Sequence, residues 1–143
     1  MLETTLVLLK PDCIAEGHCG DVIKRFEQAE LEIVGCKMTL LSGPLLDEHY
    51  AHVADRPFYS ELKAFMQSRP VVVLALRGED TVARVRELMG PTDSRKASKG
   101  TIRGDFGHNA MMNVVHGSDS SENAVAELKR FFDPDELFEP LPR

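Results

Sequence analysis

Apolar residues along this chain switch between two spacings, and the order of the switches leaves few folds open. Strands bury alternate residues, whereas helices bury every third or fourth. TTLVLL (Thr4 to Leu9) is a short run rich in β-formers that stops at KPD. Its nearly continuous apolar character fits burial on both faces. CGDVIKRFEQAE follows, with Val22, Ile23, Phe26 and Ala29 at helical spacing. LEIVGCKMTLL then alternates. It predicts a strand that turns Val34, Cys36, Met38 and Leu40 to a covered side, with Lys37 and Thr39 opposite. Leu46 to Gln67 reads as two short helices divided near Pro57. PVVVLAL, starting at Pro70, is the clearest buried strand. EDTVARVRELMGP is a helix with Val82, Val85, Leu88 and Met89 inward, stopped by Gly90 and Pro91. Pro91 to Met112 lacks periodicity and reads as a long loop, a length that in compact domains commonly carries function. MNVVH is the last strand. DSSENAVAELKRFF is the last helix, with Asp119 and Glu122 in capping-box spacing and Ala124, Val125, Leu128, Phe131 and Phe132 on one face. The proline-broken tail DPDELFEPLPR reads as irregular. The order β-α-β, αα, β-α-β predicts an α+β fold. It is a ferredoxin-like split βαβ, a four-stranded antiparallel sheet with helices packed on one face and an αα insertion, in one domain spanning residues 1–143.

Several function classes are excluded on the same grounds. Val71 to Leu76, the longest apolar run, falls far short of the roughly 20 residues that cross a bilayer. The N-terminus has neither a basic region ahead of its apolar stretch nor a small-residue cleavage site, so it does not read as a secretory signal. Cys13, Cys19 and Cys36 make an odd number without an export signal, which points to reduced thiols in the cytoplasm. With His18 they lack paired metal-ligand spacing. A net charge of −6 argues against non-specific binding to nucleic acid or to an anionic membrane. Inside this acidic chain, Arg84, Arg86, Arg95, Lys96, Lys99 and Arg103 face only Glu87 and Asp93. The segment is either a solvated basic face or a trap for a small polyanion.

His116 ends the last strand, directly before GSDS. Taken alone, it fits a structural histidine. Three features favour chemistry. The residues after it are small. The following helix brings an N-terminal dipole and free N–H groups, an anion site. Glu127 lies where its carboxylate can reach back, with Ser118 between. A carboxylate on one ring nitrogen fixes the tautomer and leaves the other nitrogen as a nucleophile. The chain has no P-loop and no kinase glycine-rich loop. Nucleotide phosphates would therefore have to be held by arginine and lysine side chains.

LLKPD, HYAHVADRPFY, RELMGPT, KGTIRGDF and NVVHGSDS, in this order from about Thr4 to Phe132, together resemble nucleoside diphosphate kinase. The resemblance implies that His116 takes the γ-phosphate of a nucleoside triphosphate and gives it to a nucleoside diphosphate by a ping-pong route. It places Lys10 at the sugar hydroxyl and the transferred phosphate, and Arg86, Thr92 and Arg103 in the phosphate clamp. Asn113 falls at the ribose, Phe58 under the base with little base preference, and Tyr50 beside the histidine. Ser118 and Glu127 orient its ring. The family uses Mg²⁺ carried mainly on the nucleotide phosphates, so no direct metal ligand is expected, with Asp119 a contact through water. The resemblance also implies a homo-oligomer, a tetramer or hexamer built of dimers. A phosphohistidine relay or protein-histidine kinase on the same His116 is an alternative, as is a regulatory nucleic-acid-binding module, which the acidic charge disfavours. Ser94, Lys99, Met111 and Met112 depart from the family pattern. His18, His49, His52 and His108 match no catalytic position and read as surface or helix-turn residues. Asn113 lies three residues before His116, an odd offset, so an irregular backbone is expected between them.

Overall fold

The computed structural model describes residues 1–139. Four strands, β1 (Leu2–Leu9), β2 (Glu32–Thr39), β3 (Val71–Glu79) and β4 (Val115–Gly117), form one sheet in the order β2-β3-β1-β4. Every pairing is antiparallel. The helices are α1 (Pro11–Ala15), α2 (Cys19–Gln28), α3 (Gly43–His49), α4 (Tyr59–Met66), α5 (Thr81–Met89), α6 (Ile102–Phe106) and α7 (Ser121–Phe131). The tail beyond residue 139 lies outside the described residues.

β1 is central and apolar on both sides, and this explains how the helices pack. Val7 and Leu9 join Leu74 and Leu76 against Val22 and Phe26 of α2 and Val85 and Met89 of α5. Leu6 and Leu8 join Val73 and Ala75 against Leu46, Met66, Leu128 and Phe131 of α3, α4 and α7. Helices therefore cover both faces, not one. A strand with two buried faces needs two covers, as the continuous apolar run of β1 already implied.

Other local expectations change for physical reasons. KPD does not merely stop β1. Pro11, its φ preset for the first helical turn, starts α1. The loop after Pro91 holds a 3₁₀ turn (Ser94–Lys96) and α6, both too short to show a period. Thr101 caps α6 by accepting from Gly104 N at 3.0 Å. α7 is capped by Ser120, which accepts from Asn123 N at 3.0 Å, so Asp119 is not the cap. Val125 of the expected inner face is 55% exposed. The last strand is three residues long, not five.

β2 shows the largest departure. Its register to β3 shifts between Ile33 and Gly35, a bulge at Val34. One extra residue reverses which side chains face the core. Val34 stays buried, but Cys36, Met38 and Leu40 are exposed. Lys37, on the other side, lies over the Phe132 ring and pairs with Glu136 at 2.8 Å.

Candidate active site

β4 places the histidine. His116 sits opposite Leu8 in the β1–β4 ladder. Directly paired residues share a face, so its ring points to the side covered by α3 and α7. The expected irregular backbone is present. Val114 has φ +75°, a left-handed conformation that a β-branched residue adopts only when its surroundings enforce it. Lys10 N donates to Val114 O at 2.9 Å, and Val114 N donates to Asp12 Oδ2 at 3.0 Å. β1 and α1 thus clamp the kink, and Asn113 and His116 line the same cleft despite their odd offset. Gly117 lets the end of the Met89 side chain pack against the strand. A Cβ there would come within 2.8 Å of Met89 Cε.

Glu127 reaches the ring from two turns into α7. Its Oε1 lies 3.2 Å from His116 Nε2 and accepts from the Ser118 hydroxyl at 2.5 Å. Burial opposes its charge. The hydrogen bond and charge of His116 and the Ser118 hydroxyl together hold its carboxyl well below the usual range. With Nε2 engaged, Nδ1 is the ring nitrogen left for other chemistry.

A cleft of about 550 Å³ opens over the ring. It is lined by Lys10, Tyr50, Phe58, Arg86, Thr92, Arg103, Asn113, His116, Asp119 and Glu127. The structure thus gathers every site residue expected from sequence except Ser118, which lies behind Glu127. Arg103 is 8% exposed and has no carboxylate partner among the described residues. Its guanidinium donates to the carbonyls of Gly90, Asn113 and Val115 at 2.9, 3.3 and 2.7 Å. Burial and the neighbouring Arg86 lower it to about 10. Lys10 Nζ donates to Met111 O and Asn113 Oδ1, both at 2.7 Å. Burial brings it down to about 8, with Asp12 opposing and Arg103 assisting. Two buried cations held by neutral oxygens form an anion site.

The basic segment contributes less to this site than its charge promised. Arg86 and Arg103 line the cleft. Arg95 pairs with Asp93 at 2.9 Å, and Arg84 binds the carbonyls of Glu79 and Ala29. Phe58 is 51% exposed at the mouth, so it is not core. Tyr50 is raised to about 12, chiefly by burial and then by Glu127, and stays a phenol. The Asn113 side chain is mostly committed. Besides accepting from Lys10, it donates to Thr92 O and Ala110 O at 2.9 and 3.1 Å. Met111 offers Lys10 its carbonyl, and both methionine amides donate to Asn109 Oδ1 at 3.0 and 2.8 Å. The loop uses only their backbone in these bonds, and nothing in the structure explains why methionine stands at either position.

His49 overturns a sequence expectation. It is not a surface residue but is 5% exposed, with its ring centroid 4.8 Å from that of His116. Its place in HYAH resembled an ordinary helix end, and only the docking of α3 against α7 and β4 reveals it. His49, His116 and Glu127 bring ligand atoms within 4.8 Å of one another. Two imidazoles and one carboxylate suit zinc or copper, whereas Mg²⁺ takes hard oxygen ligands. The side chains around the cleft instead fit a magnesium ion carried on phosphate oxygens, with the exposed Asp119 at the rim.

Residues 3–137 match the family model described as "Nucleoside diphosphate kinase". The chain belongs to the nucleoside diphosphate kinase family. Nucleoside diphosphate kinase 1 of Protochlamydia amoebophila is 50% identical over 135 residues, covering 94% of this chain and 96% of that protein. The nucleoside diphosphate kinase of Halobacterium salinarum, solved in complex with CDP, is 40% identical at a TM-score of 0.95, covering 99% of this chain and 95% of that one. That of Borrelia burgdorferi, solved as a transition state mimic with vanadate and ADP, is 31% identical at 0.91, covering 99% and 93%. The chain is accordingly a phosphotransferase of nucleotide metabolism, moving the terminal phosphate of a nucleoside triphosphate to a nucleoside diphosphate. No helix among the described residues is long and apolar enough to cross a membrane.

Proposed function

We propose that the reaction runs in two half-steps through a phosphate carried on His116. The observation that carries this reading is the engagement of His116 Nε2 by Glu127, which leaves Nδ1 over a cleft lined with cations. The Nδ1 lone pair attacks the γ-phosphorus, and the bond from that phosphorus to the β-phosphate oxygen breaks. The departing nucleoside diphosphate keeps the electron pair. A second diphosphate then attacks the phosphorus, and the N–P bond returns its pair to the ring. Nε2–H stays on Glu127 throughout, which steadies the positive ring. Lys10, Arg86 and Arg103 neutralise the oxygens of the transferring group, with Thr92 completing the clamp. Mg²⁺ carried on the nucleotide phosphates would supply further charge neutralisation, and Asp119, at the cleft rim, would be the residue to hold it through water. Tyr50 borders the ring.

Phe58 offers an exposed face to any base, so base preference is low. Asn113 keeps one free lone pair on Oδ1, enough for one ribose hydroxyl alongside Lys10. The related proteins that hold CDP, and ADP with vanadate, support a nucleotide here. Residues 1–143 act as one domain in the cytoplasm, as a homo-oligomer, a tetramer or hexamer of dimers. The edge strand β2, with Met38 and Leu40 59% and 60% exposed, is the surface that supports self-association.

The test is direct. The protein is incubated with γ-labelled ATP, freed of nucleotide and given GDP. Label moves to GTP, and His116→Ala abolishes labelling. Label that stays on the protein, or passes only to another protein, overturns the nucleotide acceptor, and label that survives His116→Ala overturns the site.

A further inference from the structure

We propose that His49 is a positioning residue for the phosphate-accepting histidine, a neutral spacer that keeps the Arg130 cation off Glu127. The proposal rests on reading His116 as the phosphate acceptor. Glu127 and Arg130 lie three apart on α7, a spacing at which opposite charges on a helix meet and pair. They do not pair here. Arg130 Nη1 donates to His49 Nδ1 at 3.1 Å, and Glu127 turns to His116 and Ser118. His49 Nδ1 stands 3.8 Å from Glu127 Oε2, so the imidazole occupies the gap between cation and carboxylate.

Arginine only donates, so Nδ1 of His49 is the acceptor and its proton is on Nε2. The ring is kept neutral chiefly by burial, with the charges of His116, Arg130 and His52 acting the same way and Glu127 opposing them. Its side chain is 2% exposed. His116, Tyr50 and Phe131 all meet it edge-on, at centroid distances of 4.8, 4.7 and 5.0 Å. Arg130 also faces an exposed carboxylate at the cleft rim, Glu48 at 3.5 Å.

This arrangement leaves Glu127 to His116 and the neutral Ser118 hydroxyl, with no competing cation. Loss of the Nδ1 acceptor would free Arg130 to swing onto Glu127. The carboxylate would then share its charge, hold Nε2–H less strongly and support less of the positive ring formed on phosphorylation. Nucleotide binding would be spared, because His49 touches neither buried cation of the clamp.

Two substitutions separate this role from simple packing. His49→Phe keeps the ring against its three aromatic neighbours but removes the acceptor. His49→Gln removes the ring and keeps an acceptor oxygen. The readout is the single-turnover rate of phosphoenzyme formation from ATP, with KM measured alongside. His49→Phe is expected to slow phosphorylation about 10- to 100-fold with KM within about twofold, and His49→Gln to retain most of the rate. Arg130→Leu, added to His49→Phe, restores the rate because no cation remains to be kept away. Phe retaining the rate while Gln loses it, or a double variant as slow as His49→Phe, overturns the proposal. If His49→Phe does not fold, His49→Leu takes its place under the same two criteria. His116→Ala is run in parallel. Label surviving there overturns the underlying reading of His116, whereas a wrong Phe–Gln order with label lost overturns the spacer alone.

Discussion

The two edges of the sheet are built to opposite ends. β2 is eight residues long and turns Cys36 and Met38 to solvent, as does Leu40 just after it. β4 is three residues long and follows a strained valine that β1 and α1 hold in place. An open strand with exposed apolar side chains is a surface awaiting another chain. A short strand with a clamped entry can aim one side chain with little freedom. In this molecule precision lies where the strand is short and its entry over-determined, and the long strand carries the sticky surface.

Lys10 gives the strongest way to break the comparison, since its side chain both holds the segment leading into β4 and belongs to the phosphate clamp proposed above. Lys10→Met is expected to lower kcat/KM about 10- to 100-fold, measured in steady state with ATP and GDP. If the loss is small, the β4 clamp does not depend on this arm.

Raising the pH removes the same charge without a mutation. Lys10 sits at about 8 in the fold against an ordinary 10.5. Between those values the unfolded chain binds more protons than the folded one, so fold stability from this group rises with pH, by at most about 1.4 kcal/mol per unit. Below pH 8 both states are protonated and the dependence vanishes. Nucleotide affinity moves the other way, falling as pH passes about 8, while Arg103 holds its charge to about 10. Titration calorimetry from pH 7 to 9.5 with a nucleoside diphosphate checks this. Affinity that is flat across pH 8 would place the Lys10 charge outside the binding contact.

Smaller effects sharpen the contrast. Phe58→Ala weakens nucleotide binding with kcat and melting temperature nearly unchanged, because the ring is half exposed. A large loss of stability would make it a packing residue. Ser120→Ala costs about 1 kcal/mol in chemical denaturation, as expected for a lost helix cap next to β4. Met38→Glu with Leu40→Glu on β2 leaves single-chain stability within about 0.5 kcal/mol. Sedimentation velocity should show the assembly falling to single chains. An unchanged assembly would move the interface away from β2.

Part of this could be read from residues in order, and the reasons differ by element. α2, α5 and the strands β1 and β3 are long enough for their period to show. The kink before His116 was legible as well, because Asn113 and His116 could share a cleft only if the strand bent. The outward turn of Cys36 and Met38 was not legible. A bulge adds one residue without altering the alternation, and only the pairing to β3 shows which phase faces the core. α1 and α6 escaped because five residues hold too little of a helical period.

The sequence by itself determined the longer elements, their order, and the motif residues expected at the site, since these depend on local spacing and on motifs that survive as text. The tertiary structure decided the rest: helices on both faces, the carbonyls that hold Arg103, and His49 between Arg130 and Glu127. Those contacts join residues far apart in the chain, 81 positions in the case of Arg130 and His49. No local period records which distant side chain will fill a gap. Only the packing of α3 and α7 against β4 brings two histidines and a carboxylate together at the cleft, where a few ångströms decide which charge acts on which ring.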